Sequence, residues 1–205
     1  MSRGRIAVVG GTGTIGSAVV RELSEGYDVL SIGRSTDPRV DLGDLESIET
    51  LVKRLASGPR FDAMVVCAGG GLLGRVDDLD LDEALDRLRP KLIGQIAIAQ
   101  AGSRLLRNGG AVVLTSGILE RRPQPGMSHL SIINASLRAF ATSSATEGRS
   151  VRTCVVSPGL VAESPQAVLD LFSGMPMVSA ADLARVYRRL IESGHDGEVV
   201  GLPEA

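Results

Sequence analysis

The chain has 205 residues, of which 43% are hydrophobic, enough to bury one sizeable core, so we expect residues 1–205 to form a single domain. A net charge of −2 and an aromatic content of 2% offer neither a basic patch nor a stacking platform, so we expect no nucleic-acid partner. No apolar run approaches the roughly 20 residues that cross a bilayer, and the N-terminus leads directly into a strand-like segment. We therefore expect a cytoplasmic protein without a membrane partner.

Two periodicities alternate along the chain. Short β-branched runs occur at RIAVVG, YDVLSIG, DAMVVCAG, GAVVLTSG and VRTCVVSPG, with a weaker one at GEVVGL. Apolar residues at helical spacing predict helices over residues 15–25, 45–57, 81–107, 132–148 and 180–193. We expect Pro90 to separate a short helix from a long one that starts at Lys91. Continuous apolar strands separated by helices indicate an α/β protein with a Rossmann-type, doubly wound parallel sheet.

A glycine-rich turn follows the first predicted strand, in VVGGTGTIGSAVV. Gly10, Gly13 and Gly16 lie between an apolar strand and an apolar helix, where backbone N–H groups and the positive end of the helix dipole can hold a pyrophosphate. The alternative is a tight turn without a ligand. The strand-turn-helix context favours a dinucleotide site.

The second predicted strand ends in SIGRST. Dinucleotide-binding folds that prefer NAD usually carry an acidic residue here, whereas an Arg accommodates a 2′-phosphate. This chain has Arg34 followed by Ser35, and the next carboxylate after them is Asp37. The sequence therefore predicts NADP(H) over NAD(H), with a solvated surface Arg as the alternative.

Taken together, these motifs resemble the short-chain dehydrogenase/reductase family over nearly the whole chain. The matching segments are GGTGTIG, GRS, DLGD with its acidic adenine-side Asp41, CAGG at 67–70 and SPG at 157–159. The resemblance implies a seven-stranded sheet in the order 3-2-1-4-5-6-7 and often a homodimer or homotetramer built on two long helices. It also implies cofactor contacts from Gly10, Thr12, Gly13, Thr14, Ile15, Gly16, Arg34, Ser35, Asp41, Leu42, Ala68, Gly69, Gly70, Pro158, Gly159 and Val161.

The catalytic positions of that family are occupied by other residues. The main branch has a Ser at the end of the fifth strand, then a Tyr, a Lys four residues after it, and an Asn at the start of the preceding long helix. An ungapped alignment places Gly117, Leu130, Asn134 and Lys91, respectively, at these positions. Because Leu130 cannot protonate an alkoxide, the usual mechanism is excluded. Glu163 likewise stands where a Thr commonly holds the carboxamide of the cofactor.

Four residues are candidates for replacement chemistry. Lys91 can reach the space of the missing Lys, or it can extend to solvent. His129 can act as a general acid near neutral pH, but it points into the site only if its helix begins after it. Ser116 precedes the expected Ser by one residue, and Asn134 can donate to a ribose hydroxyl. We assign no metal ligands.

Three functions remain open for a protein of this kind. We favour an NADP(H)-dependent oxidoreductase that acts on a carbonyl or activated alkene of a small-molecule substrate, because the cofactor-side motifs are complete. The second is a non-redox isomerase, dehydratase or cyclase that uses His129, Lys91 or Ser116 as acid–base groups. The third is a binding protein that senses NADP(H) without catalysis.

Overall fold

The computed structural model describes residues 3–71 and 73–203, so the ends of the predicted 1–205 domain and residue 72 lie outside the described part. Six parallel strands form the main sheet, in the order β2-β1-β3-β4-β5-β8. These strands are β1 (Arg5–Val9), β2 (Asp28–Ile32), β3 (Phe61–Val66), β4 (Leu106–Thr115), β5 (Arg152–Pro158) and β8 (Val199–Leu202). The short strands β6 (Leu160–Val161) and β7 (Met177–Val178) pair in parallel outside it.

Helices cover both faces of the main sheet. They are α1 (Thr14–Ser24), α2 (Leu45–Ala56), α3 (Leu81–Leu88), α4 (Gly94–Leu105), α5 (Ser128–Ser144), α6 (Gln166–Leu171) and α7 (Ala180–Ser193). Successive strand side chains point to opposite faces, so Val9 packs with α2, α4 and α5 while Val8 packs with α1 and α7. The predicted doubly wound α/β fold is confirmed. Within the described residues, no helix is long and apolar enough to cross a membrane.

The count of seven strands is wrong for the described residues. The segment after β2, where the family has its third strand, forms a single bridge between Gly33 and Arg39. Pro38 has no N–H group to extend a ladder, and the Thr36 hydroxyl donates to the Pro38 carbonyl while accepting from the Gly33 N–H. These local bonds hold the segment as a turn, and the remaining six strands keep the expected order.

Two predicted helix boundaries are also wrong. Pro90 separates the short α3 from the longer α4, as predicted, within a π-helical turn over Arg89–Ile93 that tolerates the missing N–H group. Lys91 therefore lies inside this turn, and α4 begins at Gly94. Helix α5 begins at Ser128, four residues before the predicted start at residue 132, and so includes His129.

Candidate functional site

The glycine turn forms a cradle at the start of α1. Gly10 has a φ of 83°, and a Cβ atom at Gly16 would lie 2.0 Å from the Gly10 carbonyl oxygen. Gly13 is the N-cap residue of α1 and has no side chain with which to cap the first N–H groups. An anion can therefore approach the free N–H groups at the positive end of the helix dipole. These residues fit the pyrophosphate of a dinucleotide.

From the glycine turn, a cavity of about 480 Å³ extends across the ends of β1 and β2. Arg34, Asp41 and Leu42 line its far end. Arg54 on α2 holds the Asp37 carboxylate through two bonds of 2.6 and 3.2 Å, and this guanidinium lowers the pKa of Asp37. The carboxylate nearest to Arg34 in sequence is thus engaged with another cation.

Arg39 is a candidate that the sequence analysis missed. It lines a depression next to this cavity together with Arg34 and Asp41. Its positive charge is visible in the sequence, but Arg39 lies five residues after Arg34. The turn centred on Thr36 brings both side chains to one depression, and this turn is known only from the structure. Two guanidinium groups can hold a 2′-phosphate more firmly than one.

A second cavity, of about 490 Å³, lies at the carboxyl ends of β3, β4 and β5. Both cavities are lined by Cys67, Ala68, Gly69 and Gly70, so they form one continuous groove. Thirteen of the sixteen predicted cofactor residues line this groove, and the exceptions are Thr14, Gly16 and Ser35. The groove has the glycine lining that an extended dinucleotide requires.

Lys91 and Asn134 meet at the inner end of the second cavity. The Lys91 ammonium donates a hydrogen bond of 3.1 Å to Asn134 Oδ1, and burial lowers the pKa of Lys91 to about 8. Gly69 has a φ of 115°, and a Cβ atom there would lie 2.6 Å from Lys91 Cβ. The glycine thus gives the Lys91 side chain its path into the cavity, and Lys91 does not extend to solvent.

The other two altered positions pack closely around this pair. A Cβ atom at Gly117 would lie 2.9 Å from Asn134 Nδ2, so the Asn134 amide fills the space of the absent side chain. Leu130 packs over Gly71, where a Cβ atom would lie 2.3 Å from Leu130 Cδ2. Asn134 thus packs against Gly117, Leu130 packs against Gly71, and Lys91 bonds to Asn134. The four residues at the altered positions are therefore held by close contacts.

A buried polar network supports the cavity floor. Gln95, which the sequence analysis did not identify, bonds both the Thr115 N–H and the Thr115 carbonyl at 2.9 Å. The Thr115 hydroxyl donates to the Val66 carbonyl over 2.6 Å and accepts from the Tyr187 hydroxyl over 2.6 Å. Burial raises the pKa of the neighbouring Cys67 thiol to about 12, so it is unreactive. The network ties the ends of β3 and β4 together and holds the lining in place.

The structure does not bring all four catalytic candidates together. Ser116 lines the cavity, with its hydroxyl directed to the Val156 carbonyl at 3.4 Å. His129 is buried outside the cavity lining, with Nε2 2.8 Å from the Ala84 carbonyl oxygen. Because α5 begins at Ser128, His129 lies within the helix. Its side chain therefore points about 100° away from that of the neighbouring Leu130, which lines the cavity.

Glu163 is also turned away from the cavity. Its carboxylate accepts a hydrogen bond of 2.8 Å from the Ala180 N–H and so caps α7. The next residue, Ser164, lines the cavity instead. The Pro158–Gly159 turn precedes this segment and contributes its backbone to the same wall.

Comparisons with known proteins agree with the fold. The family model described as enoyl-(acyl carrier protein) reductase matches residues 15–191. The crystal structure of the protein lin1944 from Listeria innocua superposes with a TM-score of 0.91 at 29% identity, covering 97% of this chain and 99% of that one. A small-chain dehydrogenase in complex with NADPH superposes with a TM-score of 0.85 at 28% identity, covering 98% and 97% of the two chains.

A curated relative matches over a shorter stretch. The 1-hydroxy-2-glutathionyl-2-methyl-3-butene dehydrogenase of Rhodococcus sp. (strain AD45) is 32% identical over 98 residues. This alignment covers 47% of this chain and 43% of the relative. Less than half of that enzyme is therefore aligned, and its substrate is not carried over to this chain.

Proposed function

Because this chain belongs to the short-chain dehydrogenase/reductase family, we propose that it is an NADP(H)-dependent oxidoreductase that reduces a carbonyl or activated alkene, with Lys91 as proton donor. The observation that carries the proposal is the Lys91–Asn134 hydrogen bond at the inner end of the cofactor groove. A lysine in this place supplies the ionisable group that Leu130 and Gly117 cannot.

The choice of cofactor rests on the two arginines at the other end of the groove. Arg34 and Arg39 line one depression together with Asp41, Asp44 and Glu46, while Arg54 engages the Asp37 carboxylate. Asp41 and Asp44 accept hydrogen bonds from the backbone N–H groups of Gly43 and Glu46, respectively. A 2′-phosphate placed there can pair with the two guanidinium groups, whereas the 2′-hydroxyl of NAD(H) gains no comparable charge pairing. The NADPH found in a small-chain dehydrogenase of 28% identity supports the same choice.

Residues at the inner end of the groove have separate roles in the proposed reaction. When bound, NADPH supplies a hydride to the electrophilic carbon of the substrate and becomes NADP⁺. Lys91 directs one N–H bond to Asn134 and keeps two for a substrate oxygen, to which Nζ transfers one proton, so that a carbonyl becomes an alcohol. The neutral amine recovers its proton from water. Ser116 lines the same cavity, and its single hydroxyl proton can reach that oxygen only if the hydroxyl turns away from the Val156 carbonyl, which lies 3.4 Å away.

Titration with NADPH and NADH, followed by nicotinamide fluorescence, tests the cofactor, and a panel of ketones, aldehydes and enones tests turnover. We expect tighter binding of NADPH and its oxidation by at least one class of substrate. Binding without turnover across the panel would support the sensing function instead. If neither cofactor binds, a non-redox enzyme on this fold becomes the better explanation.

We also propose that the protein is a homodimer or homotetramer and that its location is cytoplasmic. Ile132 on α5 and Ile93 before α4 are large apolar side chains that are 56% and 40% exposed. Exposed apolar side chains of this size are stabilised when a second copy of the chain covers them. Ile132→Glu should shift the mass in light scattering toward the monomer, and Leu45→Glu, at an exposed leucine of α2, is the matched control.

A further inference from the structure

We infer that the substrate is an uncharged compound with an apolar body, such as an alkyl or aryl ketone, aldehyde or enone. The inference rests on the proposed function and deepens it. It comes from the outer wall of the cavity beyond Lys91, which consists of Leu119, Leu130, Leu160, Val168, Phe172 and Met175.

The side chains of this wall belong to a hydrophobic cluster that is separate from the two cores on the faces of the sheet. The turn at Ile118–Glu120, strand β6 and helix α6 bring their apolar side chains into a third cluster. Phe172 directly follows α6, and its N–H donates to the Val168 carbonyl over 3.1 Å. Both side chains pack in the cluster that contains Leu160 and Met175. The exposed apolar surface of these side chains faces the cavity, where an apolar ligand can cover it.

The charges around the cavity exclude an anionic tail. Among the described lining residues, Lys91 is the single basic or acidic side chain, and it lies at the inner end beside Asn134. Arg121 is outside the lining, where it lies 3.5 Å from the Ser157 hydroxyl and close to Gly201. A carboxylate or phosphate at the far end of a substrate would lose its water and find no cation, which is strongly unfavourable.

The apolar wall also predicts how affinity grows with chain length. Each methylene group that leaves water contributes about 0.8 kcal/mol, or about a fourfold gain in affinity. Because 2-octanone has two more methylene groups than 2-hexanone, we expect it to bind about fifteenfold more tightly. For a ligand with a terminal carboxylate that must stay in water, affinity should depend only weakly on chain length.

Competition with the neutral fluorescent dye Nile red measures this preference without turnover. We expect the dye to bind the cavity and 2-octanone to displace it at concentrations at least tenfold lower than 7-oxooctanoate, which has the same skeleton with a terminal carboxylate. 2-Oxooctanoate, whose carboxylate adjoins the carbonyl, tests direct capture of an anion by Lys91 and should also displace the dye poorly. Failure of the dye to bind, or equal displacement by either acid, would overturn the inference.

Two variants at the C-terminal end of α6 make the test specific to the cavity. Phe172→Arg introduces a cation into the lining, so it should improve displacement by 7-oxooctanoate about tenfold relative to 2-octanone. Leu171→Arg introduces the same charge at a side chain that is 48% exposed and outside the lining, and it should leave the preference unchanged. An equal response of both variants would contradict the assigned wall.

NADPH binding, measured on the same samples, separates this inference from the proposed function. If NADPH binds and 7-oxooctanoate is preferred, the substrate class is wrong while the oxidoreductase proposal stands. If 2-octanone is preferred but NADPH does not bind, the apolar site stands and the oxidoreductase proposal fails.

Discussion

Lys91 and Asn134 form a hydrogen bond of 3.1 Å across facing helical segments, and in the ungapped alignment each stands at the position where the family carries the other's residue type. In that alignment, the ammonium group lies in the π-helical turn before α4 instead of on α5, and the amide lies on α5 instead of in that turn. One ammonium and one amide thus remain in contact beside the groove. The same alignment offers Leu130 at the position of the tyrosine, so the proposed function assigns the proton transfer to Lys91.

Replacement of Lys91 by Met should remove the proton donor while preserving its length and apolar packing. We expect turnover in the reducing direction to fall about 10²- to 10⁴-fold, the usual contribution of general acid catalysis, with NADPH affinity changed only a few-fold. Lys53→Met, at an exposed lysine of α2, is the control and should keep full turnover. Unchanged turnover in Lys91→Met would remove Lys91 from the mechanism.

The pH dependence of the reaction should report the ionisation of Lys91. Only the protonated amine can donate, and burial lowers its pKa to about 8, so kcat/KM for reduction should be level below this pH and fall above it. The residual activity of Lys91→Met should lack this decline. A wild-type profile that stays level to pH 10 would contradict the assignment.

Stability provides a second readout of the same group. The pKa of Lys91 is about 8 in the folded protein and 10.5 in the absence of burial, so between these values the unfolded chain binds more protons. The free energy of unfolding should therefore rise with pH across this window, as far as Lys91 contributes. Urea unfolding of wild type and Lys91→Met at pH 7.5 and 9.5 isolates that contribution, which should be missing from the variant.

Arg34 should determine the preference for NADPH over NADH. A hydrogen bond to a charged group contributes about 1.5–3 kcal/mol, so Arg34→Ala should weaken NADPH binding about tenfold to a hundredfold and leave NADH binding nearly unchanged. Arg39→Ala should act in the same direction, because both residues line one depression. Arg185→Ala, on α7 and away from this depression, is the control for lost surface charge. Equal weakening of both cofactors would place the 2′-phosphate elsewhere.

The sequence allowed prediction of the sheet, most helix positions and the cofactor groove, because these depend on local periodicity and on glycines at fixed spacing. It could not show that His129 points away from the cavity, since the direction of that ring depends on whether α5 begins before or after it. It also missed Gln95, whose amide is recognisable as functional only when Thr115 is beside it.

At the inner end of the groove, the sequence predicted which residues replace those of the family, but it did not predict how these residues contact one another. Lys91 was a candidate with two possible directions, and the choice between them follows from Gly69, whose backbone leaves the side chain a path inward. Such a contact joins residues 22 positions apart and has no signature in a single sequence. The partnership with Asn134, 43 positions away, is of the same kind.

Gly117 should be required by the Lys91–Asn134 pair, although the family has a Ser at its position. A Cβ atom would lie 2.9 Å from Asn134 Nδ2, so Gly117→Ser must displace the amide or shift the backbone after β4. Overpacking of this kind costs about 1–3 kcal/mol in free energy of unfolding, and the displaced amide should weaken its contact with Lys91. We therefore expect the pH at which kcat/KM declines to change along with the stability.

Gly26→Ser is the matched control for this substitution. Gly26 is exposed, and the nearest atom to its added Cβ, in the flexible Arg188 side chain, is 3.8 Å away, so stability and pH profile should be unchanged. Urea unfolding and the pH dependence of kcat/KM distinguish two effects in Gly117→Ser. A loss of stability with an unaltered pH profile would mean that Gly117 serves packing alone, whereas a wild-type stability would show that the amide has room that the structure does not indicate.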